Sequence, residues 1–117
     1  MSLIDTTQIA LESAMQGAWT RQTLLSNNIA NANTPGYHRE DLNFQGALRA
    51  ALEAGESPAE VQLTPEVSPQ VVDAEGNGVS IDQESALLAE NGLEYEALTQ
   101  VMGTRNEILR SAMGING

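Results

Sequence analysis

The sequence predicts a mainly α protein: two long terminal helices forming an antiparallel, coiled-coil-like hairpin, with a short helix and an irregular, edge-strand middle segment between them. Three observations carry this reading. Apolar residues recur every seven positions at Ile4, Leu11, Ala18, Leu25 and Ala32. They do so again at Ile81, Leu88, Tyr95, Met102 and Leu109, and a period of seven marks a narrow helix-pairing seam. Between the two runs, Pro58, Pro65 and Pro69 confine any strand to an edge.

The first helix is expected over residues 6–33. Asp5 followed by Gln8 makes an imperfect capping box at its start. Met15 and Ile29 follow Leu11 and Leu25 by four positions, whereas Gln8 and Gln22 interrupt that second row. Trp19 lies beside the seam. The helix then runs into a turn. Pro35 fixes its own φ and pushes Thr34 out of the α region, and Gly36 tolerates the positive φ that the third position of a type II turn requires.

Asn27, Asn28, Asn31 and Asn33 crowd the end of this helix. Asparagine is a mediocre helix former because its amide competes for nearby backbone groups. Asn31 and Asn33 suit the last carbonyls of the helix. Asn27 and Asn28 come too early for that, so their amides point to a contact with the second helix or with a neighbouring subunit.

The middle changes character. Residues 42–53 fit a short helix with Leu42, Phe44, Leu48 and Leu52 available for packing, and Gly55-Glu56-Ser57-Pro58 ends it. Residues 61–72 alternate and carry β-branched side chains, suggesting extended edge strand or open loop. The last helix, over 81–113, opens at Ser80 with Gln83 three residues on, an S-x-x-Q capping box. The organisation is one assembly subunit: residues 1–35 the first helix and turn, 36–78 an acidic middle, 79–117 the last helix.

Composition limits function. The 117 residues carry a net charge of −11, and 13 of the 16 acids fall in residues 40–96 against the single Arg49. Such acidity argues against nucleic-acid binding and against adhesion to an anionic membrane. No stretch is apolar enough to span a bilayer. The first seven residues lack the basic and apolar regions of a secretory signal, so composition alone leads to the expectation of a cytoplasmic protein. No cysteine is present, and His38, the sole histidine, cannot make a zinc site alone. Residues 73–84 place acidic or amide groups at positions 1, 3 and 5, Gly at 6 and Glu at 12 of a calcium loop. Glu75 at position 3, Ser80 at position 8 and the proline-bearing segment before it speak against one. No cofactor and no enzyme activity are expected.

The run Ser26-Asn27-Asn28-Ile29-Ala30-Asn31-Ala32-Asn33-Thr34-Pro35-Gly36-Tyr37 resembles the N-terminal signature of bacterial flagellar rod, hook and hook-associated proteins. Arg21-Gln22 before it and Arg39-Glu40-Asp41-Leu42-Asn43-Phe44 after it narrow the resemblance to the proximal rod proteins of the basal body, the FlgB family. Gly76-Asn77-Gly78-Val79, Asn91 and Tyr95-Glu96-Ala97-Leu98 are similar to the same family. The resemblance implies a structural subunit of the proximal rod, exported through the flagellar type III channel without a cleavable signal and polymerised in the periplasm into a torque-transmitting tube. Its implied partners are copies of itself, other rod proteins, the membrane-embedded ring, the rod-linking protein and the export apparatus.

Length supports an assembling chain. Helices over 6–33 and 81–113 would span about 42 and 50 Å, and a hairpin of two leaves apolar rows wet. Helix packing and assembly against adjacent subunits are expected at Leu11, Ala18, Leu25, Ile29, Leu88, Tyr95, Leu98, Met102 and Leu109. Asn27, Asn28, Asn31, Asn33, Pro35, Gly36 and Tyr37 are expected to set the junction. The alternatives are another rod or hook-junction axial protein, told apart by its axial neighbour, and a soluble helical adaptor or export chaperone, which should be a protease-resistant dimer.

Overall fold

A computed structural model describes residues 3–67 and 79–114. Helix α1 (Leu3–Ala30) and helix α3 (Ile81–Ala112) lie against each other along most of their lengths. Between them come strand β1 (Glu40–Asp41), helix α2 (Phe44–Glu53), a 3-10 turn (Pro58–Glu60) and strand β2 (Glu66–Val67). The body measures 60 × 33 × 15 Å, and its radius of gyration is 17.6 Å. A globule of this chain length would have a radius of about 13 Å. The shape is that of a rod.

Helix α1 is already helical at Leu3, so Asp5 lies inside it and the Asp5–Gln8 capping box is not its start. Gln8 instead donates to Glu12, one turn on, and to the Met102 sulfur across the hairpin at 3.1 Å. At the other end the helix stops at Ala30, three residues before the expected limit. Two features stop it. Asn31 turns its side-chain amide back onto the Asn27 carbonyl at 2.9 Å. Thr34 and Tyr37 then close a turn by a backbone bond of 3.2 Å, with Gly36 at φ 77°.

Helix α2 starts at Phe44 rather than Leu42 because Asn43 caps it, its side-chain oxygen accepting from the Gly46 amide at 3.1 Å. An Asn at the N-cap satisfies a donor that the helix itself cannot. Leu42 then lies in the strand-to-helix link and is buried. Helix α3 starts where the Ser80 hydroxyl accepts from the Gln83 amide. The edge-strand expectation for residues 61–72 reduces to Glu66 and Val67, which pair antiparallel with Asp41 and Glu40 respectively. The remainder of that stretch, 68–72, and residues 73–78 of the calcium-like loop lie outside the described residues.

The core sits where α2 crosses α1. Ala18, Leu42 and Phe44 form its centre, with Ala14, Leu24, Leu63, Tyr95 and Leu98 packed round it. Gly17 admits the aromatic ring: a Cβ there would lie 2.6 Å from Phe44 Cγ. A chain poor in aromatic bulk thus fills its centre with one ring brought unusually close to a helix backbone. Leu48 and Ala51 bury the inner face of α2, while Leu52, expected to pack, is 45% exposed.

Candidate functional site: the polar junction and the uncovered helix face

Two features stand out: a buried polar cluster that ties the junction to α3, and an apolar face of α3 that no described residue covers.

Asn28 is the hub of the cluster and is fully buried. Its Oδ1 accepts from the Glu40 amide at 3.0 Å and from the Tyr37 hydroxyl at 3.1 Å. Its Nδ2 donates to the Glu40 carbonyl at 2.8 Å and to Glu84 Oε2 at 3.2 Å. A side-chain amide can make four hydrogen bonds, and here all four are made. Two of them pair the Asn28 amide with both backbone groups of Glu40, as an adjacent strand would. The last turn of α1 therefore occupies the edge of β1 that β2 does not.

Glu84, in the first turn of α3, is fully buried. Arg39 pairs with it, donating from Nε to Oε1 and from Nη2 to Oε2. Arg39 Nη2 also reaches Asp41 at 3.4 Å. Asp41 is held in turn by Arg21, whose Nε and Nη2 lie 2.8 and 3.2 Å from its two oxygens, and it accepts from the Leu42 amide at 2.7 Å. One chain of charge and hydrogen bonds thus runs Tyr37–Asn28–Glu84–Arg39–Asp41–Arg21, joining α1, the junction, β1 and α3.

The electrostatics follow from this geometry. Burial disfavours the Asp41 carboxylate, but the Arg21 hydrogen bond, the Leu42 amide and the two guanidinium charges outweigh it and hold its pKa below the usual value. Burial likewise opposes the Arg39 charge, and Glu84 and Asp41 overcome it, raising the pKa. For Arg21 the Asp41 hydrogen bond is the largest influence and raises the pKa further. Burial pushes the Tyr37 phenol up, with the charges of Glu40 and Glu84 adding to it. A proton donor held neutral suits its bond to Asn28.

A second buried amide lies two turns along α3. Asn91 is fully buried and donates to the Ala18 carbonyl at 2.8 Å and to Gln22 Oε1 at 2.9 Å.

The junction residues separate into distinct roles. Asn28 and Tyr37 enter the cluster. Asn31 caps α1, and Thr34 donates to its Oδ1 at 3.2 Å. Pro35 and Gly36 form the turn. The side chains of Asn27 and Asn33 are exposed, so the contact with α3 belongs to Asn28 and not to Asn27. His38 is also exposed. Glu84, the twelfth residue of the calcium-like loop, has both oxygens engaged by Arg39 and Asn28.

Among the packing positions, Ala18 and Leu25 are fully buried. Leu11, Ile29, Leu88, Tyr95, Leu98, Met102 and Leu109 are half-buried. Tyr95 meets Trp19 with ring centroids 6.2 Å apart, although Trp19 itself is 62% exposed. Ile81, the first member of the α3 heptad row, is 49% exposed. The row that α3 turns most deeply into the hairpin is offset from the apolar one and begins Glu84, Asn91. Sequence reading passed over Arg21, Arg39, Asp41, Glu84 and Asn91 as site residues. The available signal was the matching spacing of seven between Glu84, Asn91 and Leu98 on α3, opposite a row of α1 interrupted by Gln22.

On the outer side of α3, Leu93, Val101 and Ile108 are each more than half exposed, as is Met113 just past the end of the helix. Ala97, Val101, Thr104, Ile108 and Leu109 line a shallow groove of about 630 Å³ along this face. No described helix is long and apolar enough to cross a membrane.

Residues 10–38, which include Ala18, Asn28 and Tyr37, match the family described as flagella basal body rod protein. The flagellar basal body rod protein FlgB of Bacillus subtilis (strain 168) is 30% identical over 128 aligned positions covering 97% of each chain. The chain belongs to the FlgB family of flagellar basal body rod proteins. FlgB of Yersinia enterocolitica is 31% identical over 71% of this chain and 75% of its own. FlgB of Salmonella typhimurium is 30% identical over 73% and 76%. The family segment thus contains the hub of the polar cluster, and the uncovered face of α3 lies outside it.

Proposed function

We propose that this FlgB-family chain is a structural subunit of the proximal rod, polymerising through its terminal helices into a tube that transmits torque. The observation that carries the reading is the uncovered apolar face of α3. Leu93, Val101 and Ile108 fall on one side of α3 in a rod-shaped subunit, and burying such side chains is worth about 1.5–3 kcal/mol each. A helix from an adjacent subunit laid along the groove at Val101 and Ile108 would cover them. Trp19 offers a second exposed anchor on α1.

The hairpin itself is closed by Ala18, Leu25, Asn28 and Asn91, so these residues hold one subunit together. The contacts between subunits fall to residues on the outside. Other rod proteins, the membrane-embedded ring and the rod-linking protein are the partners this role calls for. It also calls for passage through the flagellar type III apparatus, without a cleavable signal, to the periplasmic rod. The exposed acids of the middle segment keep the free subunit soluble.

The test is incorporation into isolated basal bodies of a Val101→Asp/Ile108→Asp variant expressed in cells lacking the wild-type chain. The purified variant should match the wild type in helix content and unfolding midpoint, yet be absent from the rod, leaving the cells non-motile. Normal incorporation of a folded variant overturns the reading.

A further inference from the structure

We infer that Glu84 and Asn91 are a register lock: they let α1 and α3 pair in one alignment out of the several that their seven-residue apolar repeats would accept. The inference rests on which groups the hairpin buries and does not depend on the role of the protein in the rod.

Apolar seams do not by themselves fix register. Leu11, Ala18 and Leu25 on α1, and Leu88, Tyr95 and Met102 on α3, repeat every seven residues. Sliding one helix by a heptad, about 10 Å, brings each apolar side chain opposite another of similar kind. In the observed alignment Asn28 faces Glu84, Gln22 faces Asn91 and Gln8 faces Met102. The positions in each pair sum to between 110 and 113, as one continuous antiparallel register requires.

The buried polar groups break the degeneracy. Slide α3 so that Asn91 takes the place of Glu84, and Arg39 faces a neutral amide in a site where its side chain is only 9% exposed. The Ala18 carbonyl and Gln22 then face Leu98 and lose the donor they share. Slide it the other way, and the Glu84 carboxylate meets the Ala18 carbonyl, oxygen against oxygen. Each slip buries an unpaired charge or strands polar groups, the strongest penalties available to a helix pair. A buried polar side chain that fixes alignment at the expense of stability is an established device in coiled coils. Asn91 bears that expense visibly, because its Oδ1 has no partner among the described residues.

The experiment measures register directly. The chain has no cysteine, so Ser26→Cys and Thr104→Cys, both at exposed positions well offset along the rod, accept two spin labels. Their separation is read by pulsed dipolar spectroscopy in the full-length chain. With the native residues, one distance is expected. In an Arg39→Met/Glu84→Leu/Asn91→Leu background, which removes both members of the ion pair together, helix content should persist. A second distance displaced by about 10 Å should then appear. Restoring Asn91 alone should reduce the displaced population, and restoring the Arg39–Glu84 pair should remove it. A single native distance in the apolar background overturns the inference, as does loss of helix without any displaced population. Two distances with the native residues would overturn it equally.

Discussion

The ring of Phe44 occupies the space a side chain on Gly17 would need: a Cβ there would sit 2.6 Å from Phe44 Cγ and 2.7 Å from its Cβ. Helix α2 is anchored to α1 by this approach, and the approach depends on the hydrogen at Gly17. Alanine at position 17 would raise the helix propensity of α1 by about 1 kcal/mol. Forcing the buried ring outward costs about 1–3 kcal/mol. Gly17→Ala should therefore destabilise the chain in urea unfolding despite its better propensity, with the loss concentrated in the packing of α2. Equal or higher stability would show that Phe44 can move freely.

Asn28 supports a sharper comparison. Alanine there strands the Glu40 amide and carbonyl and removes a bond each from Tyr37 and Glu84, at about 1–3 kcal/mol. Aspartate keeps the shape but turns an oxygen toward the Glu40 carbonyl and the Glu84 carboxylate, where a donor now stands. Asn28→Asp should be the more destabilising of the two at neutral pH. Its excess over Asn28→Ala should shrink as acid protonates the new carboxyl, followed by chemical denaturation at a series of pH values.

Asp41 gives a pH dependence of known sign. Its folded pKa lies below the unfolded one, so the unfolded chain takes up the proton first as pH falls. The stability due to Asp41 is fully present above the ordinary carboxylate range and is lost on acidification through the lowered folded value. Wild-type protein should therefore lose more stability between pH 5 and 2 than Asp41→Asn does, and the two should converge at the acid end. Parallel curves throughout would mean that Arg21 and Arg39 do not favour the charged form of Asp41.

Leu25 and Ile108 should separate folding from assembly. Leu25 is fully buried within the hairpin, whereas Ile108 is 62% exposed. Leu25→Asp places an unpaired charge in the core and should cost more than about 4 kcal/mol, removing helix signal from the isolated chain. Ile108→Asp should change the unfolding free energy by no more than about 0.5 kcal/mol, while lowering recovery of the chain in basal bodies. Circular dichroism and immunoblotting of isolated basal bodies read the two effects separately.

How much was legible in advance varies with the kind of interaction. Heptad spacing located both long helices because it is a local property, visible in any stretch long enough to repeat. Ser80 and Gln83 marked the start of α3 for the same reason, and Pro35-Gly36 marked the turn. The Asn43 cap, the Gly17–Phe44 approach and the Glu40–Val67 pairing were not legible, since each depends on how α2 and the middle segment fold back across α1. The candidate site was half visible. Asn28 attracted notice as an amide costly to a helix, but nothing in its neighbourhood announced Glu84, 56 residues away.

The sequence by itself determined that this chain is two long helices joined by a turn and an acidic middle, because periodicity, capping and turn chemistry act within a few residues. It could not determine which side of α3 faces inward. The apolar repeat pointed to the row of Ile81, yet Ile81 is half exposed and Glu84 and Asn91 are fully buried. That choice was made by Arg39 and the carbonyl of Ala18, groups supplied by distant parts of the chain. A buried charge or amide is tolerable only where such partners already wait for it.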